Sequence, residues 1–184
     1  FVFNANIKAQ LFSNTGQPVG MEFTVNRFTD GDQVDPAVAM DDFGNFVVVW
    51  AGQGEAESSG IFGRVYDRFG RAIGNEFHVN QTVVNHQYDP AVAMDADGDF
   101  VVTWTSYGQD GDLDGVYARK FSLQGTAQTG EILVNTTVAY RQDRSDVAMA
   151  DNGNFAVVWR SDQQDGNSWG IFGQRFTATG AKLG

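Results

Sequence analysis

The stretch Phe46-Val47-Val48-Val49-Trp50 decides the fold of this chain, because it returns twice at a nearly constant interval. It reappears as Phe100-Val101-Val102-Thr103-Trp104 and as Phe155-Ala156-Val157-Val158-Trp159, so the tryptophans stand 54 and 55 residues apart. A period of this size is the sequence signature of repeat architectures. Each copy is continuously apolar and rich in β-branched residues, which indicates a strand covered on both faces.

Other segments recur in the same order around this strand, which we label strand B. In the first period Ala37-Val38-Ala39-Met40 precedes it (strand A) and Gly60-Ile61-Phe62-Gly63-Arg64 follows it (strand C). Glu76-Phe77-His78-Val79-Asn80 (strand D) closes the period. Asp-Gly and Asn-Gly pairs between the segments are typical of antiparallel hairpins. The sequence therefore predicts an all-β fold of about three four-stranded antiparallel meanders, arranged as β-propeller-like blades or as a compact threefold β-barrel or prism.

The two ends of the chain carry the same strand, since residues 7–16 align with residues 171–180 on strand C. We expect one repeat domain over residues 1–184, with a partial repeat, two full repeats and a second partial repeat at 1–26, 27–80, 81–135 and 136–184. Strand complementation between the ends then either closes a ring within one chain or links copies into a homo-oligomer or homopolymer. In the second case the predicted assembly anchors are Phe1, Phe3 and Phe12.

The composition excludes several classes of partner and site. A net charge of −11 argues against nucleic acid and anionic membranes as partners. No apolar run has the length of a membrane span, so membrane insertion is not expected. The chain has no cysteine, which removes disulfides and cysteine-bound zinc. An acidic, cysteine-free repeat chain is compatible with an extracellular or cell-surface bacterial protein.

One loop has the form of a calcium site. Asp110, Asp112 and Asp114 alternate between strands B and C of the second repeat, and Gly115 follows them. Alternate acidic side chains in a loop converge on one point, and calcium prefers such oxygen ligands. The glutamate that completes an EF-hand is replaced by Phe121, so the loop departs from that motif. Bound Ca²⁺ and a merely solvated acidic loop are the two alternatives.

Two further sets of residues relate to carbohydrate. Asn80 and Asn135 begin Asn-x-Thr sequons at equivalent strand ends, where they are either glycosylation acceptors or caps that bond the backbone. Tyr107, Tyr140 and Trp169 lie outside the strand B phrase, where they either stack on a glycan or pack over a sheet edge.

The motifs of catalysis are missing from the sequence. It contains no Ser-His-Asp or Cys-His set, P-loop or dinucleotide motif, and its acidic residues are spread through the repeat loops. A sialidase needs a cluster of arginines. The repeat-equivalent positions here are Arg64, Arg119 and Gln174, so the third arginine is missing. The sequence therefore predicts that the chain is not an enzyme.

Three phrases resemble the repeat arrays of large secreted bacterial surface proteins, which are grouped with RTX-type calcium-binding exoproteins and adhesins. They are the run at residues 165–176, Gly-x-Glu-Phe-x-Val-Asn at residues 74–80 and Asp-Pro-Ala-Val-Ala at residues 89–93. The calcium-binding nonapeptide of RTX rolls, G-G-x-G-x-D, is absent. The resemblance implies a structural or adhesive role at the cell surface. We therefore expect a subunit or module of a surface fibre or adhesin; the alternative is a lectin-like carbohydrate-binding module.

Overall fold

The computed structural model describes residues 4–54 and 57–184, and these residues form strands and turns. No helix in this part of the chain has the length and hydropathy that crossing a membrane requires. The strands of the described residues are β1 (Lys8–Phe12), β2 (Pro18–Thr24), β3 (Gln33–Met40), β4 (Phe46–Gly54), β5 (Glu57–Tyr66), β6 (Phe77–His78), β7 (Gln87–Met94), β8 (Phe100–Tyr107), β9 (Asp114–Phe121), β10 (Ile132–Leu133), β11 (Gln142–Met149), β12 (Phe155–Asp162), β13 (Trp169–Phe176) and β14 (Lys182–Leu183).

Three four-stranded antiparallel sheets confirm the predicted meanders. The first sheet has the order β3-β4-β5-β6, the second β7-β8-β9-β10 and the third β11-β12-β13-β14, while β1 and β2 form a separate hairpin. Strand A of each sheet is the inner strand, and β7 contacts both β3 and β11. The sheets therefore face one another around their inner strands, which is the propeller-like arrangement among those expected.

The core lies in layers between consecutive sheets. Val47 and Val49 of the first sheet pack against Phe100 and Trp104 of the second. The three strand B tryptophans are at most 4% exposed, as the apolar character of that strand predicts. Burial of each such ring stabilises the fold by about 2–3 kcal/mol. Equivalent layers lie between the second and third sheets and between the β1–β2 hairpin and the first sheet.

A repeated asparagine joins the end of strand D to strand C. The Oδ1 atoms of Asn26, Asn80 and Asn135 accept hydrogen bonds from strand C backbone N–H groups at 2.8, 2.7 and 2.8 Å. Their Nδ2 groups donate to the carbonyl oxygens two residues further along the chain. Asn80 and Asn135 are therefore buried caps, with 2% and 1% exposure. The caps are the alternative to glycosylation that the sequence left open, and glycosylation of Asn80 and Asn135 stays a prediction.

The N-terminal hairpin packs on the first sheet. Ile7 and Val25 join the apolar layer around Trp50, and β1 pairs only with β2 in the described part of the chain. At the other end, the outward face of the third sheet exposes Ile171 (77%) and Val158 (48%). Complementation between the ends stays a prediction. Of its assigned anchors, Phe12 is exposed, and Phe1 and Phe3 lie outside the described residues.

Candidate functional site

The inner strand of each sheet carries a bulge at the same repeat position. The pairing of strands A and B shifts between Val34 and Ala37, and again at the two equivalent places. The bulged residues Asp35, Asp89 and Arg144 have φ angles of 53°, 51° and 51°. Side chains other than glycine seldom adopt this left-handed conformation, and such backbone strain is concentrated at functional sites. Because the bulge recurs in all three sheets, this position is the first candidate for a functional site.

The three bulges surround one depression on the propeller axis. It has a volume of about 390 Å³ and is lined by Asp35, Pro36, Asp89, Pro90, Arg144 and Ser145. We call Asp35, Asp89 and Arg144 the axial triad. Their side chains have no hydrogen-bond or ion-pair partner among residues 4–54 and 57–184, so two carboxyl groups and one guanidinium are available to a ligand. We call this end of the sheets, where β4, β8 and β12 finish, the loop face.

The charge environment distinguishes the two acids of the triad. Asp89 is half-buried, whereas Asp35 is exposed. Burial raises the pKa of the Asp89 carboxyl above its ordinary value, and the charge of Asp35 raises it further, while Arg144 opposes the shift. Because a carboxyl with a raised pKa holds its proton to higher pH, the surroundings of the depression favour the protonated form of Asp89.

A second charged pair lies directly beside the triad. The guanidinium of Arg160 on β12 donates through both Nε and Nη2 to the carboxylate of Asp143, which precedes Arg144 on β11. The hydrogen bond to Asp143 raises the pKa of Arg160. The same guanidinium lies over the ring of Trp169, with its central carbon 4.1 Å from the ring centroid. Trp169 is therefore tied to the rim of the depression through two side chains.

A tyrosine and an aspartate support the depression from the second sheet. The Tyr88 hydroxyl donates to Asp114 Oδ1 at 2.6 Å, and burial together with this hydrogen bond raises the pKa of Tyr88. Asp114 is 2% exposed and also lies 3.5 Å from Arg141 Nε. Because Tyr88 immediately precedes the bulged Asp89, this network fixes the backbone that carries the acid.

The aspartates of the predicted calcium loop each bond a different group. Asp110 Oδ2 accepts from Asn135 Nδ2 at 3.2 Å, and Asp112 Oδ2 accepts from the Tyr140 backbone N–H at 2.8 Å. Asp114 turns toward the inner strands, as described above. No group of three or more His, Asp or Glu side chains suited to a metal occurs in the described residues. Calcium binding by this loop stays a prediction. It requires the carboxylates of Asp110 and Asp112 to break these hydrogen bonds and to coordinate the ion instead.

The three candidate aromatic ligands all lie on the loop face. Tyr107 ends β8, Tyr140 precedes β11, and Trp169 begins β13, and they are 41%, 46% and 42% exposed. Antiparallel pairing puts the end of strand B beside the starts of strands A and C, so these rings surround the same end of the sheets as the axial triad. Of the three, Trp169 is joined by contacts to the residues around the depression.

Sequence reasoning missed the axial triad. A signal was present: Asp35-Pro36 and Asp89-Pro90 occupy the same place in strand A of two repeats. A proline within a strand removes a ladder hydrogen bond and marks a bulge or an edge. Residues that are about 54 positions apart form no local motif, so only the repeat alignment could have grouped them.

No family model matches this chain, and no curated protein does. Solved structures do match it. An endo-arabinase from Bacteroides thetaiotaomicron superposes with a TM-score of 0.53 at 13% identity, over 91% of this chain and 66% of its own. An α-L-arabinofuranosidase from Lactobacillus brevis gives 0.54 at 10% identity, over 94% and 67%. A protein of unknown function from Dyadobacter fermentans gives 0.56 at 14% identity, over 80% and 52%.

The likeness to these structures is one of fold. The chain spans between about half and two-thirds of their length. The neighbours include glycoside hydrolases of β-propeller-like fold. The class that the structure defines is therefore a propeller-like repeat protein with a charged depression on its axis.

These comparisons correct three predictions. The resemblance to RTX-type exoproteins and adhesins is wrong, because the neighbours are glycoside hydrolases. The phrases that suggested it consist mostly of strand and turn residues, which recur in any β-meander. The prediction of a fibre or adhesin subunit is likewise overturned, because the fold is shared with an endo-arabinase and an α-L-arabinofuranosidase. The prediction that the chain is not an enzyme is also wrong as drawn, since hydrolases share the fold and the triad acids come together without a motif.

Proposed function

We propose that the protein binds carbohydrate in the axial depression of the loop face. The observation that carries the proposal is the axial triad: three repeated bulges present two carboxyl groups and one guanidinium without partners in the described residues. Sugar hydroxyls donate to carboxylates and accept from guanidinium groups, so the triad has the donors and acceptors that a saccharide requires. The named activities of two fold neighbours, an endo-arabinase and an arabinofuranosidase, support this choice of ligand.

Calorimetric titration tests the proposal. Xylo- and arabino-oligosaccharides are titrated into the protein and into the variants Asp89→Asn and Arg144→Gln. We expect binding by the unaltered chain and a loss of about tenfold or more in each variant, because a charged hydrogen bond contributes roughly 1.5–3 kcal/mol.

The matched control is Asp151→Asn, in the exposed β11–β12 turn at the opposite end of the sheets. It makes the same chemical change and should leave affinity unchanged. Absence of heat with every saccharide, or equal affinities in Asp89→Asn and the control, would contradict the proposal.

A second candidate function is hydrolysis of a glycosidic bond in the same depression. The observation that favours it is the difference between the two triad acids, since Asp89 has a raised pKa and Asp35 lies near it and is exposed. Glycoside hydrolysis uses one protonated carboxyl and one carboxylate. Asp89 would donate its proton to the leaving glycosidic oxygen. The Asp35 carboxylate would take a proton from the attacking water, which forms the new bond to the anomeric carbon.

Release of p-nitrophenol from aryl α-L-arabinofuranosides and β-D-xylosides tests this second candidate. We expect Asp89→Asn and Asp35→Asn each to lower kcat about 100-fold or more, the usual contribution of general acid or base catalysis. Asp151→Asn should keep full activity. Turnover that is undetectable in the unaltered chain, while saccharides still bind, would leave binding as the function and exclude hydrolysis of these bonds.

A further inference from the structure

Trp169 differs from the other three tryptophans of the chain. Trp50, Trp104 and Trp159 are 0%, 0% and 4% exposed, whereas Trp169 is 42% exposed. It also lies outside the repeated strand B phrase that buries the others. Trp169 lies on the exposed face of β13, on the same side as Ile171, and belongs to none of the apolar clusters of the described residues.

The exposed ring is held in a defined orientation. The Arg160 guanidinium covers one of its faces at 4.1 Å from the centroid, and the bidentate hydrogen bonds to Asp143 fix that guanidinium. Asp143 is itself buried, with 6% exposure. The exposed area of the ring is therefore left on the side away from Arg160. An oriented aromatic face beside a polar depression is the arrangement that stacks on the apolar face of a sugar.

We propose that Trp169 is a stacking subsite for a second sugar ring of the ligand, with Asp143 and Arg160 as its positioning residues. The inference rests on the function proposed above. Asp143 adjoins Arg144 in β11, so Trp169 lies only one ion pair away from the axial triad. A ligand that fills the depression and reaches Trp169 has at least two sugar rings.

The stacking geometry also selects the class of sugar. A pyranose chair whose hydroxyls are all equatorial presents a flat face of C–H groups to an aromatic ring. A furanose ring is smaller and puckered, and it presents less of such a face. We therefore assign the subsite to β-linked pyranose chains such as xylo-oligosaccharides, in preference to chains of arabinofuranose.

Fluorescence titration with xylohexaose and arabinohexaose tests this assignment. Because the other tryptophans are buried, a ligand-dependent change in emission reports on Trp169. We expect xylohexaose to change the emission, and Trp169→Phe to abolish the change. In calorimetry Trp169→Ala should weaken xylohexaose about tenfold and arabinohexaose much less. An unchanged xylohexaose affinity in Trp169→Ala would overturn the inference while leaving the proposed function intact.

A double-mutant cycle tests the positioning residues. We expect Asp143→Asn to weaken xylohexaose binding in the unaltered chain, and to add little in the Trp169→Ala background, because its effect passes through the ring. Additive losses would overturn the positioning role. Unfolding midpoints of each variant show whether the fold is kept. If no saccharide binds the unaltered chain at all, both the subsite and the proposed function are wrong.

Discussion

The indole N–H groups of the buried tryptophans have different surroundings. Trp50 Nε1 donates to Gln33 Oε1 at 2.9 Å, and Gln33 is 2% exposed. In the next repeat Gln87 Oε1 accepts instead from Asn80, and the indole N–H of Trp104 has no partner in the described part of the chain. Equivalent rings in one repeated frame are therefore held by different interactions.

We expect Trp50→Phe to destabilise the protein more than Trp104→Phe. Both changes remove a similar part of a buried ring, but only the first leaves a buried amide oxygen without its donor. An unpaired buried polar group costs about 1–3 kcal/mol. The difference between the two free energies of unfolding, measured by urea denaturation, should fall in that range. Equal losses would show that Gln33 finds another donor.

The raised pKa of Asp89 predicts a pH-dependent effect of its replacement. Since the folded-state pKa lies above the unfolded value of about 3.9, the carboxyl contributes stability below that pH and loses it as pH rises through the folded pKa. Asp89→Asn removes the charge and keeps a residue that tolerates positive φ. The variant should therefore be more stable than the unaltered chain at pH 7, with the gap closing toward pH 4. A gap of the same size at both pH values in urea unfolding would refute this reasoning.

At the scale of elements, one glutamate ties the link between sheets to the second sheet. Glu131 accepts from the backbone N–H groups of Gln81 and Thr82 at 2.6 and 3.0 Å, from the Thr82 hydroxyl at 2.8 Å and from Gln109 at 2.7 Å. Burial alone would raise the pKa of Glu131, but these hydrogen bonds together lower it.

We expect Glu131→Gln to lower the free energy of unfolding at pH 7 by about 1–3 kcal/mol. Because the folded-state pKa is depressed, this stability is present above the unfolded value of about 4.3 and is lost as pH falls through the folded pKa. The deficit of the variant should therefore shrink in acid. Glu22→Gln is the matched control, since Glu22 is the repeat equivalent and is exposed. If Glu22→Gln lowered the free energy of unfolding by as much, the loss in Glu131→Gln would come from replacing glutamate by glutamine and not from the four hydrogen bonds.

The elements show which features a sequence can predict. Strand B was predictable because its apolar run indicates a buried strand, and β8 is buried on both faces. The expectation fails for β12, which is buried on one face only because no sheet of the described residues covers the outward face of the third sheet. Strand D was expected over residues 76–80. Its regular pairing covers Phe77 and His78, the Val79 N–H still donates to the Ile61 carbonyl, and Asn80 bonds strand C through its side chain. The axial triad was not predictable from spacing. Its members meet only after three bulges, on three separate strands, point toward one axis.

At the scale of the whole molecule, two apolar surfaces are open. A groove of about 470 Å³ runs between β1 and the first sheet, and its lining includes Val38 and Met40, which are 64% and 56% exposed. The outward face of the third sheet exposes Val158 and Ile171. In the two complete interfaces of the chain, the faces equivalent to these are covered by the neighbouring sheet.

We therefore predict weak, concentration-dependent self-association through these surfaces. Sedimentation velocity should show a rising average mass with concentration, and added salt should strengthen association by screening the net charge of −11. Ile171→Lys should suppress it. Ile73→Lys, at an exposed position in the connection between β5 and β6, should not. A chain that stays monomeric at every concentration would show that these surfaces serve no contact between copies.

The bulges on the inner strands share one backbone conformation, yet they carry Asp, Asp and Arg. The frame is thus rotationally symmetric while its chemistry is not. The two carboxyl groups and the guanidinium of the axial triad would set the orientation of a ligand bound in the depression. Under the proposed function, exchanging Asp35 with Arg144 would turn the preferred direction of a bound sugar chain about the axis while leaving the strands in place. If the depression binds a sugar chain as proposed, three side chains set the direction of that chain, and this direction can change without any change in the sheets.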